Sequence, residues 1–261
     1  MDLAIDHHTA RVLLEWQVEL GATEAVLDAP LNRYEAPEKH VQDKALSKAQ
    51  PATLVLAPEV DAVQVARQVA RGAKDLVGLR AALETFNHCE LKLGAKKLVF
   101  GDGNPEGRVM IIGEAPGRDE DSQGRPFVGR AGQLLDRMLG SINMGRSTQL
   151  SKDSVYITNV LPWRPPQNRD PKPEEIAMLT PFLERHVEIV APDVLVLMGN
   201  ISCQAVLGRR GISRLRGHWF EALGSPVLPM FHPAFLLRRP AAKREAWADL
   251  LSLKAKLETA V

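Results

Sequence analysis

The sequence predicts an α/β fold: a four-stranded parallel sheet with helices on both faces, in a three-layer α/β/α arrangement. Three observations carry that expectation. Four short strand-like runs recur after position 100: Val109–Ile112, Val155–Val160, Val194–Met198 and Val227–Phe231. The first is apolar throughout and rich in β-branched residues, which is how a strand buried on both faces reads. Helical patterns separate them, near Gly132–Leu139, Pro173–Val190 and Ile201–Leu207, and a last helix runs from about Ala241 to Leu257. Strand–helix alternation closes into a parallel sheet through right-handed crossovers. Finally, the runs end in Gly, Asn or His, and ligands of open α/β sheets bind beyond the carboxyl ends of the strands.

The elements follow in order. Thr9–Leu20 places Val12, Leu13, Trp16 and Leu20 at helical spacing and stops at Gly21, an amphipathic helix. Asp28–Pro58 is polar and broken by four prolines, so it reads as a linker. Pro58 to about Phe86 is helical again. The expected division is therefore a helical N-terminal extension with linker over 1–85 and an α/β/α domain over 86–261. Pro173 followed by Glu174 and Glu175 is a helix N-terminus: a fixed φ, then negative charge near the positive end of the dipole.

Bulk properties narrow the function. With 45% hydrophobic and 25% charged residues in 261, the chain is an ordinary globular one. No apolar run approaches the roughly 18 residues of a membrane span. Acids stand near Met1 where a signal peptide carries positive charge, and two cysteines, Cys89 and Cys203, are too few for a disulfide framework. A reducing cytoplasm is the expected location. The net charge is only +1, but residues 201–261 hold ten Lys/Arg against four acids, while residues 1–50 hold five against nine. Clustered cations of this kind fit a polyanionic partner, the plain alternative being a solvated face.

The loops carry the chemistry. After the first strand comes Gly113-Glu114-Ala115-Pro116-Gly117, whose glycines allow close backbone approach to a ligand, and then the acids Asp119, Glu120 and Asp121 in one loop. Gln123–Gly129 offers Phe127 on a loop stiffened by Pro126. The second strand ends in Thr158-Asn159 ahead of Arg164-Pro165-Pro166, and the fourth in His232-Pro233-Ala234-Phe235-Leu236-Leu237-Arg238. An Asn and a His on the same edge of one sheet can converge on a small ligand.

With these motifs in this order, the chain resembles the uracil-DNA glycosylase superfamily, and within it the family-four enzymes of bacteria and archaea. The likeness rests on Gly113–Gly117, Glu120-Asp121, Pro126–Gly132, Thr158-Asn159-Val160, Arg164–Pro166 with Asn168-Arg169, Leu215-Arg216-Gly217 and His232–Arg238, and spans roughly residues 86–250. It implies an enzyme that flips uracil out of DNA and hydrolyses its N-glycosidic bond, leaving an abasic site. Phe127 would stack on the base, with Glu114, Ala115 and Gly117 lining its pocket. Asn159 would read the Watson–Crick edge, donating to O4 and accepting from N3–H. His232 would hold the charge that develops on uracil O2. Glu120 is the candidate to orient water, with Asp119 or Asp121 as substitutes. Leu236 and Leu237 would wedge into the stack, and Arg238, Arg239 and Lys243 would meet phosphates. The expected partner is uracil-containing DNA and the expected state a monomer.

Two departures from the family stand out. Its four cluster cysteines fall on Phe86, Cys89, Trp163 and Leu179, so one thiol remains where an iron–sulfur cluster needs about four. No cofactor is expected, and an apolar minicore should fill the volume. Gly117 stands where the best-known uracil glycosylases have a thymine-excluding Tyr, so the agent of that exclusion is missing from the sequence. Gly140–Asp153 is long for the family and carries no role the sequence assigns. The rival function is a protein that binds uracil or other damaged bases without releasing them, or a glycosylase of shifted base preference. Covalent trapping on a loop histidine is disfavoured, since Trp163–Pro173 contains none.

Overall fold

The computed structural model describes residues 61–148 and 150–259, which fall in one compact unit; the expected helix Thr9–Leu20 and linker Asp28–Pro58 lie outside them. Strand β2 (Val109–Gly113) is buried at every residue and pairs in parallel with β3 (Val155–Asn159) on one side and β4 (Val194–Met198) on the other. On the far side of β4 lies β6 (Ser225–Met230), also parallel. These four are the predicted strands. The sheet is nonetheless six-stranded and mixed, because β1 (Asp102–Gly103) and β5 (Phe220–Ala222) add antiparallel edges in the order β1-β3-β2-β4-β6-β5. Segments of two and three residues carry too little periodicity to be read as strands.

Helices cover both faces. On one lie α1 (Ala62–Gly72), α2 (Leu76–Thr85), the single turn α3 (Leu91–Gly94), α6 (Pro173–Val190) and α7 (Asn200–Leu207). On the other lie α5 (Arg130–Gly140) and α10 (Lys243–Thr259). Alternation along β2 assigns the layers: Met110 and Ile112 pack towards Leu161, Leu179 and Phe182, whereas Val109 and Ile111 pack towards Leu135, Leu139 and Leu250. The helical stretch read from Pro58 to Phe86 is two helices, broken at Ala73–Asp75 because the Asp75 carboxylate caps a new N-terminus by accepting from the Gly78 amide. Both rest on α6, and Arg185 there donates to the Ala73 carbonyl at 2.8 and 2.9 Å.

Two loops of the sequence reading are helical. Asp119, Glu120 and Asp121 lie in the short helix α4 (Arg118–Gln123), where acids in the first turn suit the dipole. The His232 motif runs straight into α9 (Pro233–Arg238), with Pro233 at the first helical position. A further turn, α8 (Ile212–Leu215), leads into the Arg216-Gly217 corner. There Arg216 pairs with the buried Asp249 of α10 and lies 5.5 Å over the Phe231 ring, fixing the chain just before His232.

Candidate active site

The site forms where β2 and β3 end together. Gly113 and Asn159 are register partners, and pairing continues past the strand ends through Val160 N–H to Gly113 O and Leu161 N–H to Glu114 O, both 3.0 Å. A Cβ on Gly113 would stand 2.3 Å from Asn159 Oδ1 and 2.5 Å from Phe127 Cε2. Glycine is therefore required: the amide and the ring converge over a bare backbone. Asn159 is buried, and among the described residues its amide takes part in no hydrogen bond, so both its donor and its acceptor face the cavity. The Phe127 ring is stacked near His232, centroids 5.4 Å apart and planes 30° apart.

His232 comes from the end of β6. The Ala234 amide donates to its Nδ1 at 3.1 Å, so that nitrogen is the acceptor and, in the neutral ring, the proton is on Nε2. Burial, with Arg238 adding its charge, lowers the imidazole pKa to about 4, and the ring is neutral at physiological pH. Gly199, at φ +100° after β4, backs the ring; a Cβ there would sit 3.3 Å from that of His232. The result is a neutral N–H donor whose direction is fixed by its own backbone.

Around these three side chains lies a cavity of about 450 Å³, within the range of small-ligand sites. Glu114, Ala115 and Gly117 line it, and burial together with Asp170 raises the Glu114 pKa. Glu120 also lines it, but not as a free base. Its Oε1 accepts from the Val128 and Gly129 amides at 3.0 and 2.9 Å, and its Oε2 from Gly117 at 3.1 Å. The carboxylate staples the first loop to the Phe127 loop, and its Oε2 stands 2.7 Å from where a Cβ on Gly117 would be. Asp121 is turned into the protein, accepting from the Lys96 amide at 2.8 Å.

The cavity wall includes Pro165, Asn168 and Arg169, which the sequence offers as motif without a place in the site, and Asp170, which no motif marks. They belong to a tight turn in which Gln167 and Asn168 both have left-handed φ, near +55°. Arg169 anchors it with two bonds to Glu175, at 2.5 and 2.9 Å, on the first turn of α6. The Pro-Pro-x-Asn run was the available signal, since it marks a rigid turn beside a strand end.

On the outer rim the structure corrects one expectation. Leu236 is 0% exposed, packed with Leu134, Phe231 and Ala246, and cannot enter a base stack. Helix α9 turns it inward and leaves Leu237 part-exposed beside Arg238. Arg238 is exposed and borders the cavity, Arg239 lies 5.7 Å over the Phe235 ring, and Lys243 is exposed at the start of α10.

The four positions that the resemblance assigns to cluster cysteines all lie in the same large apolar cluster. Phe86, Cys89, Trp163 and Leu179 are 3%, 2%, 3% and 1% exposed within one apolar cluster, and Phe86 meets Phe182 edge-on at 5.1 Å. Burial raises the Cys89 thiol pKa, the opposite of what a metal-binding thiolate needs. Cys203 is buried on α7. One thiol among two aromatic rings and a leucine does not fit an iron–sulfur cluster.

Comparison with known proteins agrees with this geometry. Residues 100–251 match the family model described as the uracil DNA glycosylase superfamily. The chain is 41% identical over 170 residues to a type-4 uracil-DNA glycosylase of Archaeoglobus fulgidus, covering 62% of this chain and 82% of that one. A type-4 uracil-DNA glycosylase of Thermotoga maritima is 42% identical over 153 residues, 58% and 77% of the two chains. One of Sulfurisphaera tokodaii is 38% identical over 175 residues, 64% and 77%. A strand-end Asn and a ring on a braced loop over one bare glycine, with a neutral His beside the ring, thus lie within the matched segment, and the chain belongs to the uracil-DNA glycosylase superfamily.

Proposed function

We propose that the chain excises uracil from DNA as a monofunctional glycosylase of base excision repair. The observation that carries this reading is the convergence of Asn159 and Phe127 over Gly113, with His232 stacked near the Phe127 ring in the same cavity. A uracil flipped into the cavity stacks on Phe127, a contact that contributes about 1–3 kcal/mol. Asn159 donates to O4 and accepts from N3–H; cytosine presents the opposite pair and is refused.

As the C1′–N1 bond breaks, its electron pair passes to the base and charge gathers on O2. His232 Nε2–H donates to that oxygen; such a donor acts where the charge develops rather than on the ground state. Water then bonds to C1′, and the proton it gives up ends on the released uracil anion, so that hydroxyl stays on the sugar and neutral uracil leaves. Glu120 is committed to three amides, so we assign the orienting of this water to Glu114, whose carboxylate borders the cavity and makes no hydrogen bond among the described residues. Glu120 instead takes the place of the missing aromatic at position 117: its Oε2 fills the space a side chain there would enter and blocks the methyl of thymine.

Leu237 is the remaining wedge, and Arg238, Arg239 and Lys243 meet phosphates. A single chain holds the complete site, consistent with a monomer. With one thiol at the four cluster positions, the fold is held there by apolar packing and uses no cluster. Among the described residues no helix is long and apolar enough to cross a membrane. The test is incubation with a uracil-containing oligonucleotide followed by alkali. Strand breaks at uracil are expected; a retarded but uncut band would instead identify a binder without chemistry.

A further inference from the structure

The long loop between α5 and β3 contributes one side chain to the site from behind. Arg146 is 8% exposed and spends four of its five N–H groups on fixed acceptors. Its Nε donates to Asp136 of α5 at 2.9 Å, and Nη1 to Asp102 of β1 at 2.9 Å and to the Pro126 carbonyl at 2.8 Å. Nη2 donates to the carbonyl of Phe127 itself at 2.9 Å. Two carboxylates offset the buried charge and hold the planar fork in one orientation.

The peptide it grips is unusual. Phe127 has φ +53°, a left-handed backbone that a non-glycine residue keeps only where its surroundings over-determine it. From the other side α5 comes so close that a Cβ on Gly132 would lie 1.7 Å from the Phe127 oxygen. Glu120 takes the next two amides, of Val128 and Gly129. Arg146 is thus the half of a clamp that holds the carbonyls, as Glu120 is the half that holds the amides.

We infer that Arg146 is a positioning residue for uracil excision: it fixes the left-handed Phe127 peptide and thereby aims the ring at the flipped base. This gives the 140–153 loop its role, and it rests on the reading of Phe127 as the stacking platform. The guanidinium never meets substrate, so its effect should pass entirely through the ring.

A double-mutant cycle tests this, with Arg146→Ala, Phe127→Ala and both together, read by single-turnover uracil release and by affinity for DNA carrying an abasic analogue. Arg146→Ala should slow release about 10- to 100-fold, within what a lost base–aromatic stack can account for, and weaken inhibition by free uracil. Abasic-DNA affinity should change less than about twofold, since no phosphate contact is lost. In the Phe127→Ala background the same change should cost less than about twofold. An equal loss in both backgrounds, or a parallel loss of abasic-DNA affinity, would overturn the inference. Wild-type rates in Phe127→Ala alone would instead remove the platform reading. Should Arg146→Ala fail to fold, Arg146→Lys serves in the same cycle, because a point charge cannot span both carbonyls and both acids.

Discussion

Two neighbourhoods four residues apart on one chain are built to different standards. Asn159 ends β3 in the cavity, and Trp163 is buried in an apolar cluster. In the cavity the side chains bring particular groups to bear: the carboxyl of Glu114, the ring of Phe127, the amide of Asn159 and the imidazole of His232. In the cluster Phe86, Cys89, Trp163 and Leu179 bring only buried volume. A reaction needs particular lone pairs and protons in fixed directions. A tie between two segments needs only buried surface, and hydrophobic side chains of suitable size supply it.

That contrast can be broken from either side. Trp163→Ala removes a fully buried ring and should cost about 3–5 kcal/mol of stability, measured by denaturant unfolding. Activity per folded molecule should fall as well, because the Arg164–Arg169 turn hangs from it. A loss below 1 kcal/mol would mean that packing is not what joins the segments. His232→Ala acts in the opposite manner. Unfolding should barely move, while single-turnover uracil release should drop by about 10²–10³-fold, as for one lost oxyanion donor.

Acid titration sharpens the same point. An ordinary histidine would lose its neutral form near pH 6.5. His232, lowered to about 4 by burial and Arg238, stays neutral as the pH falls through that range, so it should add no limb to the release profile near 6.5. Its own limb should come only towards pH 4, where protonation of Nδ1 ends its acceptance from the Ala234 amide, and below the limb of Glu114, whose raised pKa is passed first and which Glu114→Gln should remove. A limb at 6.5 that disappears in His232→Ala would show an imidazole in ordinary solvent. The smallest effect belongs to Cys89→Ser, which should change stability by less than about 1 kcal/mol, the amides of Leu91 and Lys92 being near enough to serve a hydroxyl. Iron in stoichiometric amount in the wild type, or collapse of this variant, would overturn the cluster-free reading.

What could be read from the sequence follows length and periodicity. β2, β4 and α6 were legible because four or five consecutive apolar residues, or a Pro-Glu-Glu start, leave little choice of structure. The edges β1 and β5 were not, since two or three residues have no pattern and exist only through pairing. Leu236 and Leu237 look alike in sequence; only the turn of α9 decides which one faces the core. Glu120 was recognisable as a site residue, but its work depends on which amides lie near it, and those come from Val128 and Gly129 on another loop. Arg146 was illegible for the same reason, as its partners at 102, 126, 127 and 136 are gathered by the fold.

Gly113 bears on how such a site can change over generations. The smallest possible side chain there collides with both the base reader and the stacking ring, so no graded series of substitutions leads away from it. Residues at the rim, such as Arg239 or Lys243, can drift one at a time and be tuned by selection. The floor of the pocket has no intermediate forms: a lineage keeps that glycine or loses excision in one step.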